Sequence, residues 1–444
     1  MPMPHNPRLG RLPQLAALAF LALGLAACNV QIGGTDRDGD GLLSGDELSF
    51  GTDPDDVDTD DDRVWDGEEV FVFDTNPLDS DTDNDGMNDR ADPNPLVAGA
   101  IPPTEHGLFS QNADGSARSQ LVATRHQENH VVQGPSGANY LLYQTYLSDT
   151  NGDGQFDESD LTASAIGRMN LDGSRPRLLT DRDGFGFRAS NGAIDVTPHP
   201  SPDGNYVIWA SDRHAVGTFQ LRLFVMNYDS TNRRQLAYAN NPPANDELDS
   251  DCHWGPSDRI VWKRERLGAG ARASRLYTAT LNRSSWTLEN VTLRTDPTPG
   301  VLNLFPPGDY DAQISPDGAW LASYRHLANA PGAFGEWDLF IGRFSDAAQP
   351  ADASLTFLLP DNTIADFFPR WNQASNRLAL WSLDSTVVTG DAIDVFVFDL
   401  NLSATPPSVT QVHNVSAGAG WNESMPSWST DSAAPNRLYY SASR

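Results

Sequence analysis

One turn phrase recurs along this chain and restricts what the chain can become. Ser201-Pro202-Asp203-Gly204 and Ser315-Pro316-Asp317-Gly318 each stand between a short strand-like run and an apolar one. Proline presets φ and glycine accepts a positive φ, so both are tight turns between antiparallel strands. Degenerate copies at Gly134-Pro135-Ser136-Gly137, Gly255-Pro256-Ser257-Asp258, 372–375 and 429–432 bring the number to six. Apolar runs follow the turns, among them Tyr206-Val207-Ile208-Trp209, Arg259-Ile260-Val261-Trp262 and Arg377-Leu378-Ala379-Leu380-Trp381. Third runs follow in the complete units, as in Leu223-Phe224-Val225-Met226 and Val395-Phe396-Val397-Phe398, and short fourth ones close them, as in Arg234-Gln235-Leu236. Six units of four short antiparallel strands predict an all-β, six-bladed β-propeller over residues 105–444.

The last unit has only two strands before Arg444. Gly107-Leu108-Phe109-Ser110 and Gln120-Leu121-Val122-Ala123, on either side of the Asp114-Gly115 turn, are expected to complete it and so remove an exposed edge. Through its turns and the phrases Pro198-His199-Pro200, Pro369-Arg370-Trp371 and Pro426-Ser427-Trp428, this part of the chain resembles the six-bladed propeller of TolB and its relatives. The resemblance implies a fold and leaves the function open, because propellers host enzymes, binders and scaffolds alike.

Aligning the units on their turns places an acid four residues before the His199 position in each: Glu128, Asp195, Asp249, Asp309, Asp366 and Glu423. A ring of these at one mouth of the central channel would hold a cation or attract a basic peptide. The competing reading is structural, each acid capping its own loop or accepting arginine hydrogen bonds. Further along the same strands stand His199, His253, Gln313, Arg370 and Ser427, whose variety at one position points to a lining specific for a ligand. His199 and His253 could bind a transition metal, although a hydrogen-bonded pair is the commoner arrangement.

Ahead of the propeller, residues 36–92 repeat an aspartate pattern three times. The first copy has Asp36, Asp38, Asp40, Gly41 and Glu47, which are positions 1, 3, 5, 6 and 12 of a loop for a hard, oxygen-seeking cation. The second has Asp58, Asp60, Asp62 and Glu69, with Arg63 in place of the glycine, and the third has Asp81, Asp83, Asp85, Gly86 and Asp92. Position 7, which offers a backbone carbonyl, is Leu42, Val64 and Met87. Carboxylates about 5 Å apart repel by roughly 3 kcal/mol per pair at an effective dielectric near 20, so the loops are expected to close only around Ca²⁺. An acidic, disordered linker is the alternative. Gly51-Thr52-Asp53-Pro54, Asp74-Thr75-Asn76-Pro77 and Asp92-Pro93-Asn94-Pro95 make residues 36–95 similar to the thrombospondin type 3 repeats of bacterial envelope proteins. A further loop in the first propeller unit, with Asp149, Asn151, Asp153, Gln155 and Asp160 in the same register, is read as a fourth calcium site or an acidic surface loop.

Residues 1–27 carry Arg8 and Arg11 before an apolar run ending Leu25-Ala26-Ala27-Cys28. This resembles a lipoprotein signal, and the resemblance implies lipidation of Cys28 at the head of a linker over 28–35, with Asn29 favouring the outer membrane; an ordinary cleaved signal is the alternative. Cys252 then has no intrachain partner and is read as a small buried residue. Residues 35–94 hold 22 acids against 3 arginines, a balance of −19 within a net charge of −30, which argues against nucleic acid as a partner. Lys263 is the single lysine and is read as a matter of composition.

No G-x-S-x-G elbow, P-loop, dinucleotide fingerprint or zinc-helix motif is present. The sequence therefore points to a non-enzymatic, calcium-binding, lipid-anchored envelope protein. A calcium-stiffened stalk would present a propeller that binds an envelope protein or polysaccharide, in the periplasm or on the surface. A glycan-active lyase or hydrolase with its site at the channel mouth is the alternative.

Overall fold

The computed structural model describes residues 35–443 except 63, 74, 87, 90–94, 97–105, 125–126, 128, 136, 147–163, 175, 181–192, 215–218, 268–271, 298–305, 328–335, 345–354, 358–363, 385–392 and 417–420. Cys28, Met87, Asp92, Glu128 and the loop with Asp149, Asn151, Asp153, Gln155 and Asp160 lie outside the described residues, and of Asp366 only the backbone is described.

From residue 106 onward the regular structure of the described chain is almost all strand, arranged in four-stranded antiparallel units, with the short strand Ala237–Tyr238 added in parallel to Thr287–Leu293. Unit 1 comprises Asn129–Gln133, Tyr140–Tyr146, Ser164–Asn170 and Arg177–Leu178, and unit 2 comprises Asp195–Pro200, Tyr206–Ser211, Arg222–Asn227 and Arg234–Gln235. Unit 3 is Glu247–Trp254, Arg259–Arg266, Ser274–Asn282 and Thr287–Leu293; unit 4 is Gly308–Ile314, Trp320–Leu327, Glu336–Arg343 and Leu355–Phe357. A parallel bridge between Ser274 and Gly308 joins these two into one sheet. Unit 5 is Ile364–Trp371, Arg377–Asp384, Asp394–Asn401 and Ser408–Asn414. Unit 6 takes Asn422–Trp428 and Arg437–Ser443 from the end of the chain and His106–Asn112 and Ser119–Thr124 from before unit 1. Antiparallel pairing from His106↔Ser443 to Asn112↔Arg437 makes the join, as the sequence led us to expect. The first strand of each unit touches that of the next, and the first strand of unit 6 touches that of unit 1, which is the arrangement of a β-propeller.

The core lies between units. Tyr140, Leu142 and Ile166 of unit 1 pack on Val207, Trp209 and Phe224 of unit 2; Ile208 and Val225 of unit 2 pack on Trp254, Ile260 and Trp262 of unit 3. Both faces of the sheets are therefore covered, and side chains such as Ile208 and Leu223 are wholly buried, worth about 1.5–3 kcal/mol each. The turn phrase works through its side chains as well as its backbone. Ser201 Oγ donates to Asp203 at 2.6 Å and accepts the Tyr206 N–H at 3.0 Å, while Gly204 takes φ 73°.

Every first strand carries a bulge that the sequence does not announce. Pairing breaks between Asn129 and Val132, Val196 and His199, Ser250 and His253, Tyr310 and Gln313, Phe367 and Arg370, and Ser424 and Ser427. Within each break one non-glycine residue has a left-handed backbone: His130, Thr197, Asp251, Asp311, Phe368 and Met425, with φ between 41° and 55°. Such residues cost on the order of 1–3 kcal/mol each and persist where packing holds them. A bulge re-aims the side chains beyond it, and here it decides which residues reach the axis.

The acidic segment forms a helix over Ser44–Phe50, closed by Gly51 at φ 92°, and a short one over Asp66–Glu68 that runs on into a wider turn over Glu69–Phe73. This segment is not a free stalk at its centre. Glu68 is buried, and its Oε1 accepts the N–H of Leu178, in the outermost strand of unit 1, at 2.8 Å.

Candidate functional site

In each acidic loop the carboxylates at positions 1, 3 and 5 converge. Ligand atoms of Asp36, Asp38 and Asp40, of Asp58, Asp60 and Asp62, and of Asp81, Asp83 and Asp85 lie within 4.8 Å of one another. Backbone amides hold them so. Leu42 N–H donates to Asp40 at 2.7 Å, Val64 N–H donates to Asp62 at 2.6 Å, and Asp85 N–H lies 3.1 Å from both Asp81 and Asp83. Position 4 is left-handed in all three, at Gly39, Asp61 and Asn84.

Like charges brought together without a counter-ion would be costly, and the cost is visible in the atoms left over. Both carboxylate oxygens of the fully buried Glu47 have no hydrogen-bond partner among the described residues, nor do Oδ2 of Asp38, Asp60, Asp62 and Asp83 or Oε2 of Glu69. Burial, helped by the neighbouring carboxylates, pushes Asp40 up to about 8, Glu47 to about 7, Asp60 to about 6, Asp62 to about 7 and Glu69 to about 10. These donors fit a hard divalent cation: all are oxygens, converging within each loop, with free lone pairs pointed at one another. Asp66, which the sequence reading passed over, joins Asp40 and Glu47 in a buried cluster shared by the first two loops. It stands at position 9 of the second loop, and its carboxylate takes the N–H and hydroxyl of Thr59; Asp89 does the same with Thr82, 23 residues on. That shared spacing was the available signal.

Of the two readings of the acids, a channel ring or arginine-bonded structural groups, the four whose side chains are described follow the second. Asp195, Asp249, Asp309 and Glu423 are buried within the sheets and each is paired with arginine. Asp249 accepts from Arg264 Nε at 2.6 Å and Nη2 at 2.8 Å and from the Tyr238 hydroxyl at 2.6 Å. Asp309 accepts from Arg325 Nε at 2.9 Å and Nη2 at 2.7 Å, and Asp195 from the Trp209 indole at 2.9 Å as well as from Arg213. The reason is the bulge. These acids precede it, whereas the residues within it, such as Asp251 and Asp311, meet partners near the axis. Asp251 lies 3.2 Å from Lys263 Nζ, and Asp311 pairs with Arg370 of unit 5. Lys263 is thus a partly buried counter-ion: burial acts to lower its pKa, and Asp251 and Glu265 outweigh burial and raise it.

Beyond the bulge, Gln133, His199, His253, Gln313, Arg370 and Ser427, one from each unit, line a pocket of about 300 Å³. Pro135, Pro202, Pro256 and Pro316 of the turn phrases line it too, and none of its lining residues is Asp or Glu. The imidazoles of His199 and His253 meet edge to face with centroids 4.0 Å apart. Burial holds His199 down to about 3 and His253 well below the ordinary histidine range, so both are neutral. Among the described residues no third metal-ligating side chain joins the pair. Cys252 is buried, and burial pushes its thiol far up, consistent with an unreactive packing role.

No protein-family model matches the chain, and no curated protein matches it. Among solved structures, a TolB candidate from Agrobacterium tumefaciens aligns over 77% of this chain and 99% of its own at 14% identity, with a TM-score of 0.47. A Dyadobacter fermentans protein of unknown function aligns over 77% and 99% at 10% identity, TM-score 0.41, and the periplasmic gluconolactonase PpgL of Pseudomonas aeruginosa over 67% and 71% at 11% identity, TM-score 0.38. Likenesses at this level carry no inference about activity, and the architecture is read from the strand pairing itself.

Proposed function

We propose that this is a calcium-binding, lipid-anchored protein of the cell envelope, in which thrombospondin type 3-like repeats present a TolB-like, six-bladed propeller that binds an envelope protein or polysaccharide. The observation that carries the calcium reading is the set of buried carboxylate oxygens without partners in all three loops. In the first loop Asp36, Asp38, Asp40 and Glu47 would hold the ion, with Asp66 contributed from the second; in the second, Asp58, Asp60, Asp62 and Glu69; in the third, Asp81, Asp83 and Asp85. Bound Ca²⁺ supplies the positive charge that these loops lack, and extracellular calcium suits sites of this kind. Location in the envelope rests on the leader-like residues 1–27 and on Cys28.

A binding role is preferred to a glycan-hydrolysing one on the chemistry of the pocket. Hydrolysis of a glycosidic bond by general acid and base calls for a pair of carboxyl groups facing the substrate, and the four acids whose side chains are described, Asp195, Asp249, Asp309 and Glu423, are committed to arginines. The deciding experiment is capture of envelope components by the chain in millimolar calcium and again in chelator, beside a calcium titration. A discrete component retained with calcium supports the reading. A chain that binds no ion at millimolar calcium overturns it.

A further inference from the structure

Four of the six polar residues contributed to the axial pocket leave donors free, whereas Gln313 Nε2 donates to Asp311 at 3.5 Å and His199 Nδ1 lies 3.0 Å from the Pro200 carbonyl. Three of these six polar lining residues, one from each unit, use their acceptor atoms to tie neighbouring units together. Gln133 Oε1 accepts the Thr430 N–H at 3.0 Å, His253 Nδ1 accepts the Ile314 N–H at 3.3 Å, and Ser427 Oγ accepts the Gln133 N–H at 3.4 Å. What remains on each is a donor: the amide nitrogen of Gln133, the protonated Nε2 of His253 and the hydroxyl proton of Ser427. The fourth contributor is Arg370, 7% exposed, whose Nη1 engages Asp311 and the Pro369 carbonyl while Nε and Nη2 make no hydrogen bond among the described residues. Asp311 pairs with Arg370 Nη1 and Asp251 with Lys263, so what the pocket offers a ligand is the donors left over rather than an uncompensated positive charge. The prolines of the turn phrases offer an apolar wall, and about 300 Å³ admits a small molecule or a chain end rather than a folded element.

We propose that this pocket binds an organic carboxylate with an apolar body, the carboxylate taken by Arg370 with Gln133, His253 and Ser427, and the body by the proline wall. The proposal deepens the reading of the strand domain as a binding module and rests on it. Arginine suits the role because a hydrogen bond from its remaining Nη2 to a carboxylate is charge-assisted, and such bonds are shorter and stronger than neutral ones. The ligand could be a free acid or the C-terminus of a peptide, which share this chemistry.

The test titrates the full chain in calcium with 3-phenylpropanoate and with 3-phenylpropanamide, followed by ligand-observed NMR and calorimetry. The acid should bind at least about tenfold more tightly than the amide, and Arg370→Gln should remove that preference. Because Arg370→Gln strands Asp311, the double variant Arg370→Gln with Asp311→Asn is measured beside it, so that lost folding is not mistaken for lost binding. Equal binding of acid and amide, no binding of either at millimolar concentration, or binding of inorganic phosphate in place of the acid overturns the proposal. A tripeptide ending in free Phe-carboxylate, against its amidated form, distinguishes the sources: preference over 3-phenylpropanoate assigns a chain end, and exclusion assigns a free acid. Should the small acid fail while calcium-dependent capture persists, this proposal falls alone; should capture fail while the acid binds, the envelope-partner reading falls instead.

Discussion

Aspartate is buried in both parts of this molecule, and the two parts treat it in opposite ways. Asp249 and Asp309 in the strand domain meet guanidinium groups that neutralise them. Asp62 and Glu47 in the acidic loops are as deeply buried, yet their free oxygens face other carboxylates. A buried charge is tolerated only when paired. The strand domain carries its counter-ions in its own sequence, and the loops must take theirs from solution. The described strands should therefore be indifferent to calcium and the acidic loops of residues 36–89 governed by it.

Chelation should produce the largest effect. Without calcium, residues 35–89 should lose amide protection in hydrogen exchange while the denaturation midpoint of the strand domain stays where it was; parallel loss in both would break the contrast. The metal-free segment should also depend on pH with a definite sign. Its buried carboxyls keep their protons in the folded form to about pH 7–8 at Asp40, Glu47 and Asp62, whereas the unfolded chain releases them near 4. Folded-state stability is therefore greatest below about pH 4 and is lost as pH rises towards about 8, and added calcium should abolish that loss.

Next in size is Asp249→Ala, which leaves the buried Arg264 without its partner and should destabilise the strand domain by about 3–5 kcal/mol in urea unfolding. A change under about 1 kcal/mol would mean that the pair is dispensable. Glu47→Gln should weaken calcium binding at the first loop by at least about tenfold, the scale of even an outer-shell loss, and should make the segment more compact in chelator by removing one repelling charge. Smallest is Glu68→Ala, costing on the order of 1 kcal/mol and read as faster exchange of the Leu178 amide. Should Leu178 keep its protection, the docking of the repeats on unit 1 is not what shields it.

Much of this was legible residue by residue. Tyr206–Ser211, Arg377–Asp384 and the pairing of His106–Asn112 with Arg437–Ser443 follow from apolar runs between turn signals, because those patterns act over a few residues. The channel residues His199, His253 and Arg370 were found by aligning the repeated turns and do line one pocket. The roles of Asp195, Asp249, Asp309 and Glu423 stayed open between a channel ring and arginine-bonded structural groups. Sequence alignment gave them a common position, and position alone cannot say whether a strand turns a residue towards the axis or into the sheet.

What the sequence determined by itself is periodic and local: where the turns fall, how many strands stand between them, and which carboxylates share a loop at 1, 3, 5 and 12. Those depend on backbone preferences and on charges a few ångströms apart along the chain. The tertiary structure decided the rest. Bulges at Asp251, Asp311 and their equivalents lack the glycine that would mark them, since packing between units, rather than local preference, holds φ positive there. Arg264, Arg325 and Lys263 became counter-ions because strand pairing carried them to acids on a neighbouring strand. Charge compensation across a sheet is a property of register, and register is settled only when the whole ring of strands packs.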